Sequence, residues 1–259
     1  MRLRALTLTL LLGAAPALAQ DEEPNISFFY PLVTRRPVIE REVEFNATHK
    51  KERGGRETEV SFALEGPIFP RLQVELEIPW VFTDPRAGNA QQGIGDIGLE
   101  TKFLAVKSVQ HQLLAATGFE VKFPTGSERR GLGGEQAIEP FVTGGIGLGP
   151  FDLLAEVAYE WVLNGHDRPR EEKLSSNVAL GYRAFLWFTP LIEVNTATRT
   201  RGVDEEEGPR LLGRTQVYLT PGINLRPLTG ATIRLGVELP VTKAKEFDYR
   251  LHAAFVQEF

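Results

Sequence analysis

Apolar and polar residues alternate along most of the chain, in stretches of about ten residues separated by turn-rich or charged segments. The clearest stretch is Leu72–Trp80, and a second one, Leu153–Leu163, repeats the pattern. A period of two places successive side chains on opposite faces of a β-sheet. The chain is therefore predicted to be all-β. Shorter stretches with the same period lie at 60–64, 113–123 and 233–239.

The side chains that oppose the apolar set are often long and charged. A soluble β-sandwich or a lipocalin-like barrel also alternates, but charge on the inner face of many strands suits a water-filled pore. We therefore expect these residues to line a lumen: Glu75, Glu77, Lys102, Glu120, Lys122, Glu156 and Arg234. The acid-rich first third of this lumen would favour cations over anions.

Long polar connections alternate with short turns along the whole chain, as they do in outer-membrane barrels. The predicted long connections include 50–56, 83–92 and 125–136, and the short turns include 66–71 and 149–150. We predict a transmembrane antiparallel up-and-down β-barrel of about 12 strands over residues 38–259. Both termini would lie on the periplasmic side.

Aromatic residues favour the ends of the predicted strands, as in the interfacial girdles of membrane barrels. Trp80, Phe123 and Phe247 fall at one end, and Phe69 and Phe151 fall at the other. The last strand alternates and the sequence ends in an aromatic residue. This pattern resembles the C-terminal signal that the barrel-assembly machinery reads, carried here by Tyr249, Phe255 and Phe259.

The first residues have the order of a secretory signal peptide. Arg2 and Arg4 precede an apolar run, and Ala17 and Ala19 form a small-x-small cleavage site. We therefore predict a cleaved signal peptide at 1–19 and export to the outer membrane. Residues 20–37 form either a periplasmic tail or a lumen plug, and the aromatic cluster Phe28–Tyr30 favours the plug because aromatic side chains prefer burial.

Composition narrows the function further. The chain has no cysteine, which excludes thiolate metal sites and cysteine nucleophiles, and its net charge of −5 argues against a nucleic-acid partner. The lumen carboxylates are better explained by solvation and ion pairing than by catalysis or metal binding. No histidine is followed by a serine two residues later, the same-face spacing of a barrel hydrolase. We therefore predict no enzyme activity, no metal and no cofactor.

The segment Gly93–Gly98 matches the dinucleotide fingerprint G-x-G-x-x-G. That fingerprint requires a strand before the glycines and a helix after them, whereas here a polar loop precedes them and a predicted strand follows. The glycines are therefore interpreted as a return into the barrel wall. Asp96 either caps this turn or lines the lumen.

The stretch Gly93–Phe103 and the next hairpin, Gly118–Gly126, resemble recurring elements of outer-membrane transporters named for the MetA pathway of phenol degradation. The resemblance implies passage of small solutes, including aromatic or hydrophobic ones, and covers most of the mature chain with short motifs. One alternative is a structural or adhesive outer-membrane barrel with a filled lumen and binding loops. A further alternative is a secreted, soluble periplasmic β-protein. The expected partners of the transporter are the lipid bilayer, the assembly machinery and a small solute.

Overall fold

A computed structural model describes residues 26–164, 172–202 and 211–259. The predicted signal peptide, 1–19, and residues 20–25 lie outside these ranges. The described part of the chain is built almost entirely of strands, with a single 3-10 turn at Glu128–Arg130. In chain order the strands are β1 (Glu42–Glu52), β2 (Gly55–Phe69), β3 (Leu72–Pro85), β4 (Gln91–Ile94), β5 (Ile97–Ser108), β6 (Leu113–Phe123), β7 (Gln136–Leu148), β8 (Phe151–Asn164), β9 (Glu172–Tyr182), β10 (Phe188–Arg201), β11 (Thr215–Leu228), β12 (Ala231–Pro240) and β13 (Phe247–Glu258).

The strands form one closed antiparallel barrel. Each strand from β5 to β13 pairs with the next, β13 pairs with β1, and β1–β2 and β2–β3 continue the wall. β4 and β5 follow each other along the same side of β3 and occupy one wall position. The barrel therefore has twelve strands, which confirms the predicted fold and strand number.

Connections of two kinds lie at the two ends of the barrel. The short turns at 70–71, 109–112, 149–150, 183–187 and 229–230 share one end, which we call the turn end. The longer connections, including 124–135 and 241–246, share the other, which we call the loop end. One predicted loop, 50–56, is wrong: β1 and β2 are joined by only Arg53 and Gly54, because Lys50 and Glu57 are cross-strand partners that form a 3.0 Å ion pair.

The outer surface of the barrel is apolar and its interior is polar. Along β8, Val157 and Trp161 are 52% and 40% exposed on the outside, whereas Asp152 and Glu156 are buried inside. A soluble barrel would have the opposite arrangement, so the soluble alternative does not fit. Within the described ranges, no helix is long and apolar enough to cross a membrane.

Exposed aromatic side chains occupy both ends of the outer wall. Trp80 and Phe123 lie near the loop end, and Phe69 and Phe151 lie near the turn end. Phe247 does not belong to these bands, contrary to the sequence-based expectation. It is buried inside the barrel and stacks on Tyr218, with ring centroids 4.4 Å apart. A register irregularity opposite Lys51 and Glu52 shifts its side chain to the inner face.

Residues 26–41 precede β1 and lie inside the barrel. Ile26, Phe28 and Phe29 are buried in an apolar cluster with inward side chains from β5, β6, β8, β9 and β10. Burial of each large apolar side chain contributes about 2 kcal/mol. The turn-end half of the lumen is thus occupied by the chain's own N-terminal segment, which we call the inner segment.

Candidate functional site

A cavity of about 820 Å³ lies on the loop side of the inner segment. Its wall is formed by strand side chains, and residues 31–36 of the inner segment also line it. Fifteen acidic and eight basic side chains line the cavity, so its charge is strongly negative when all of them are ionised. A negative field inside a narrow lumen raises the local concentration of cations and lowers that of anions.

All seven residues expected in the lumen line this cavity: Glu75, Glu77, Lys102, Glu120, Lys122, Glu156 and Arg234. Most of them have a partner there. Arg234 lies 2.7 Å from Glu44, and Lys122 lies 3.0 Å from Glu160. Ser61 donates a 2.5 Å hydrogen bond to Glu77. No ion pair of Glu75 within 4.0 Å occurs in the described part of the chain.

Arg35 is the central basic residue of the site, and the sequence reasoning missed it. Its guanidinium group lies 2.7 Å from Glu100, 2.7 Å from Glu120, 2.8 Å from Glu139 and 2.5 Å from Glu156. Burial alone would lower the pKa of Arg35, but the four carboxylates outweigh burial and raise the pKa, so the group stays charged. The available signal was a pair of arginines before a barrel whose first strands carry excess acid.

Hydrogen bonds hold the inner segment at several points. The side-chain amide of Asn224 forms two hydrogen bonds with the backbone of Tyr30. It accepts from the Tyr30 N–H at 2.8 Å and donates to the Tyr30 C=O at 2.8 Å. The Tyr30 hydroxyl lies 2.6 Å from Glu42 and 2.7 Å from Glu258, close to where the first and last strands meet. Burial raises the pKa of Tyr30, so this hydroxyl remains a proton donor.

Small residues in the wall make room for the large side chains of the segment. A Cβ atom on Gly145 would lie 2.7 Å from the Phe28 ring, and one on Gly181 would overlap the Phe29 ring. Leu32 contacts Gly236 in the same way. Close packing of this kind is sensitive to added volume, so these glycines match the shape of the inner segment.

Asp96 fixes the loop between β6 and β7. Its carboxylate accepts hydrogen bonds from the backbone N–H groups of Gly126 at 2.9 Å, Gly134 at 2.8 Å and Glu135 at 3.0 Å. The loop folds inward, and its Leu132 is buried and lines the cavity. Asp96 also lines the cavity, as one of its two predicted roles requires, but the backbone groups that it caps belong to the loop at 124–135 and not to the Gly93–Gly98 turn. A nucleotide-binding helix does not follow these glycines, because β5 does.

One acidic cluster has the size of a metal site, but protein groups already occupy it. Carboxylate oxygens of Glu40, Glu42 and Glu65 lie within 4.8 Å of one another. Arg36 binds both oxygens of Glu40, at 2.5 and 3.0 Å, and Gln73 donates to Glu65. The cluster is therefore explained as an ion-pair network.

The structure also brings one serine and one histidine together. Ser108 Oγ lies 2.9 Å from His111 Nδ1 in the exposed turn after β5. The His-x-Ser spacing does not include this pair, because that spacing applies to two residues on one strand and these two lie at a turn. Within the described ranges no carboxylate hydrogen-bonds to His111, and a triad needs such a third group to orient the histidine.

The three residues of the predicted assembly signal lie on β13 or just beyond it. Phe255 and Phe259 are 38% and 72% exposed, and Tyr249 is partly exposed. The backbone N–H of Phe259 donates a 3.0 Å hydrogen bond to the carbonyl of Arg41. The terminal residue is thus joined to the chain just before β1, while its side chain stays accessible.

Comparison with solved structures identifies outer-membrane barrels of the same fold. An outer-membrane channel from Pseudomonas putida F1 superposes with a TM-score of 0.66 at 13% identity, covering 90% of this chain and 100% of that one. The NanC porin gives 0.57 at 8% identity over 83% and 99%, and the KdgM porin gives 0.53 at 10% over 83% and 99%. No protein-family model and no curated protein sequence matches the chain. At these identities the similarity establishes the fold.

Proposed function

We propose that this chain is an outer-membrane channel for the passive passage of small solutes, with the turn end facing the periplasm. The observation that carries the proposal is a closed barrel with an apolar exterior that encloses a charged cavity. The fold shared with a channel and two porins supports it. The expected signal peptide and C-terminal assembly signal fit the same location and the same partners, the bilayer and the assembly machinery.

The inner segment would act as a plug. Its apolar side chains fill the turn-end half of the lumen, and its polar groups are bonded to the wall. Passage therefore requires movement of residues 26–41 or a narrow path beside them. The acidic lining favours cations, whereas the aromatic or hydrophobic solutes implied by the phenol-pathway resemblance meet more polar than apolar surface in this cavity. That family assignment remains a proposal.

Single-channel conductance tests the proposal. The refolded mature protein would be inserted into planar bilayers under a salt gradient, beside a variant that lacks residues 20–37. We expect small, cation-selective steps from the full protein and larger steps from the variant. Heat-modifiable migration on a denaturing gel serves as the folding control for both proteins. Silence from both proteins, each shown to be folded and inserted, would refute the open-channel function.

A barrel with a permanently filled lumen and binding loops is the second candidate. It is favoured by the number of hydrogen bonds that fix the inner segment and by the inward fold of the loop at 124–135. The same recordings separate the two candidates. A structural barrel stays silent as the full protein and conducts only after residues 20–37 are removed.

A further inference from the structure

Seven glutamates face one another across seven neighbouring strands. Each is the direct Cα partner of the next, although the residues are far apart in the sequence. In spatial order this glutamate row consists of Glu258 (β13), Glu42 (β1), Glu65 (β2), Glu75 (β3), Glu100 (β5), Glu120 (β6) and Glu139 (β7). All of its members except Glu258 line the cavity.

The row runs obliquely along the lumen. Glu42 is the first residue of β1, at the turn end, whereas Glu139 lies near the loop-end start of β7. Barrel strands tilt relative to the barrel axis, so a line of cross-strand partners climbs from one end of the barrel towards the other. Like charges placed directly opposite each other destabilise a sheet. Repetition of this unfavourable pairing along the barrel therefore calls for positive charge close to the row.

The inner segment provides an independent observation of what the row binds. The Arg36 guanidinium lies 3.9 Å from Glu42, where the row begins at the turn end of the barrel. The Arg35 guanidinium lies between Glu100, Glu120 and Glu139, the three members of the row nearest the loop end. It also forms an ion pair with Glu156 of β8. Arg35 also lies over the Phe141 ring, 4.6 Å from its centroid. The row therefore presents carboxylates at the spacing that a planar guanidinium requires.

From this arrangement we infer that the glutamate row is a binding track for solutes that carry guanidinium or ammonium groups. In the solute-free protein, the guanidinium groups of Arg35 and Arg36 occupy the positions that the cationic groups of such a solute would take. This inference rests on the proposed channel function and specifies its substrate class.

The charge balance leaves capacity for such a solute. Four carboxylates surround one guanidinium at Arg35, and Glu75 has no ion pair within 4.0 Å in the described part of the chain. A cation arriving from the loop end therefore competes with Arg35 for Glu100, Glu120 and Glu139, and it reaches Glu75 next to them along the row. Displacement of Arg35 would weaken one attachment of the inner segment and couple solute binding to its release.

Calorimetric titration of the refolded, micelle-bound protein with agmatine tests the inference, because agmatine carries one guanidinium and one ammonium group. The row variant is Glu100→Gln/Glu120→Gln/Glu139→Gln. The matched control, Glu57→Gln/Glu59→Gln/Glu77→Gln, removes the same number of carboxylates from the same cavity but outside the row. We expect the row variant to bind agmatine at least about tenfold more weakly, and the control to change less than about threefold.

Arg35→Gln provides an opposite test. Removal of the built-in competitor should strengthen agmatine binding by about tenfold, since a ligand binds more weakly when the competent state is only partly populated. The same substitution should have no such effect in the row variant. If the triple variants fail to show heat-modifiable migration, Glu120→Gln and Glu59→Gln form the matched pair.

Equal losses in the row and control variants would overturn the inference, because bulk charge would then explain the binding. Absence of agmatine binding to both the native protein and Arg35→Gln would also overturn it. These outcomes are read in micelles and are independent of conductance. A barrel that binds agmatine through the row but never conducts would contradict the channel function and leave the binding track standing.

Discussion

Thr34 donates two hydrogen bonds to a single oxygen of Glu193, from its backbone N–H at 2.9 Å and from its hydroxyl at 2.7 Å. The N–H groups of Leu32 and Val33 point at the same carboxylate, which is completely buried. Consecutive N–H groups that converge on an anion form a backbone nest. One side chain of β10 thus fixes the path of the inner segment across the lumen.

We therefore expect Glu193→Ala to release the inner segment. The substitution leaves the N–H groups of residues 32–34 without their acceptor, and each lost hydrogen bond to a charged group costs about 1.5–3 kcal/mol. Trypsin should then cut after Arg35 in the folded barrel, whereas the Arg36–Pro37 bond resists trypsin, and conductance steps should increase. Glu59→Ala, which removes a cavity glutamate outside these contacts, is the control. Unchanged cleavage and conductance in Glu193→Ala would contradict the assigned anchor.

Two adjacent glycines on β7 allow a matched test of the packing. Gly145→Val should displace Phe28, because even a Cβ atom there would lie 2.7 Å from the ring. A Cβ atom on Gly144 would meet only a backbone oxygen at 3.5 Å, so Gly144→Val should leave the inner segment in place. Overpacking costs about 1–3 kcal/mol. Protease protection of residues 26–41 is the measurement, and equal protection in both variants would show that Phe28 can move without cost.

The barrel itself could be predicted from the sequence because its signal is local. Leu76, Ile78 and Trp80 alternate with polar residues whichever strand lies beside them, so the lipid-facing and lumen-facing sides follow from one strand at a time. The same logic places Glu75, Glu77 and Glu120 at the cavity. Phe247 is an exception. A register irregularity turns its side chain to the inner face, and the alternation of the sequence does not indicate this change.

Relationships between strands could not be predicted in this way. Alternation gives the face of Glu100 but not its partner, so the sequence does not reveal that Glu75, Glu100 and Glu120 stand directly opposite one another. The position of Arg35 against Glu156, 121 residues away, depends on barrel closure and on the path of the inner segment. The aromatic cluster at 28–30 indicated burial, but only the wall glycines fix where the rings lie.

Asp96 should control the loop at 124–135. In Asp96→Ala the N–H groups of Gly126, Gly134 and Glu135 lose their acceptor, so the loop should leave the cavity mouth. Trypsin should then cleave after Arg129 or Arg130 at least about tenfold faster, because the lost charged hydrogen bonds are worth about 1.5–3 kcal/mol each. Asp96→Asn keeps one acceptor oxygen and should give an intermediate rate. An unchanged rate in Asp96→Ala would mean that Leu132 holds the loop alone.

Substitution of Phe259 should affect assembly of the barrel and not its stability. The Phe259 side chain is 72% exposed, and its only described hydrogen bond comes from the backbone N–H, which any residue except proline can supply. Phe259→Ala should therefore change the free energy of unfolding in micelles by less than about 0.5 kcal/mol. If the residue belongs to the signal read by the assembly machinery, the same substitution should lower the amount of folded barrel in the outer membrane several-fold. Phe69→Ala, at a turn-end position 66% exposed, is the matched control. A loss of stability in Phe259→Ala, or an equal assembly defect in Phe69→Ala, would assign Phe259 a structural or interfacial role instead.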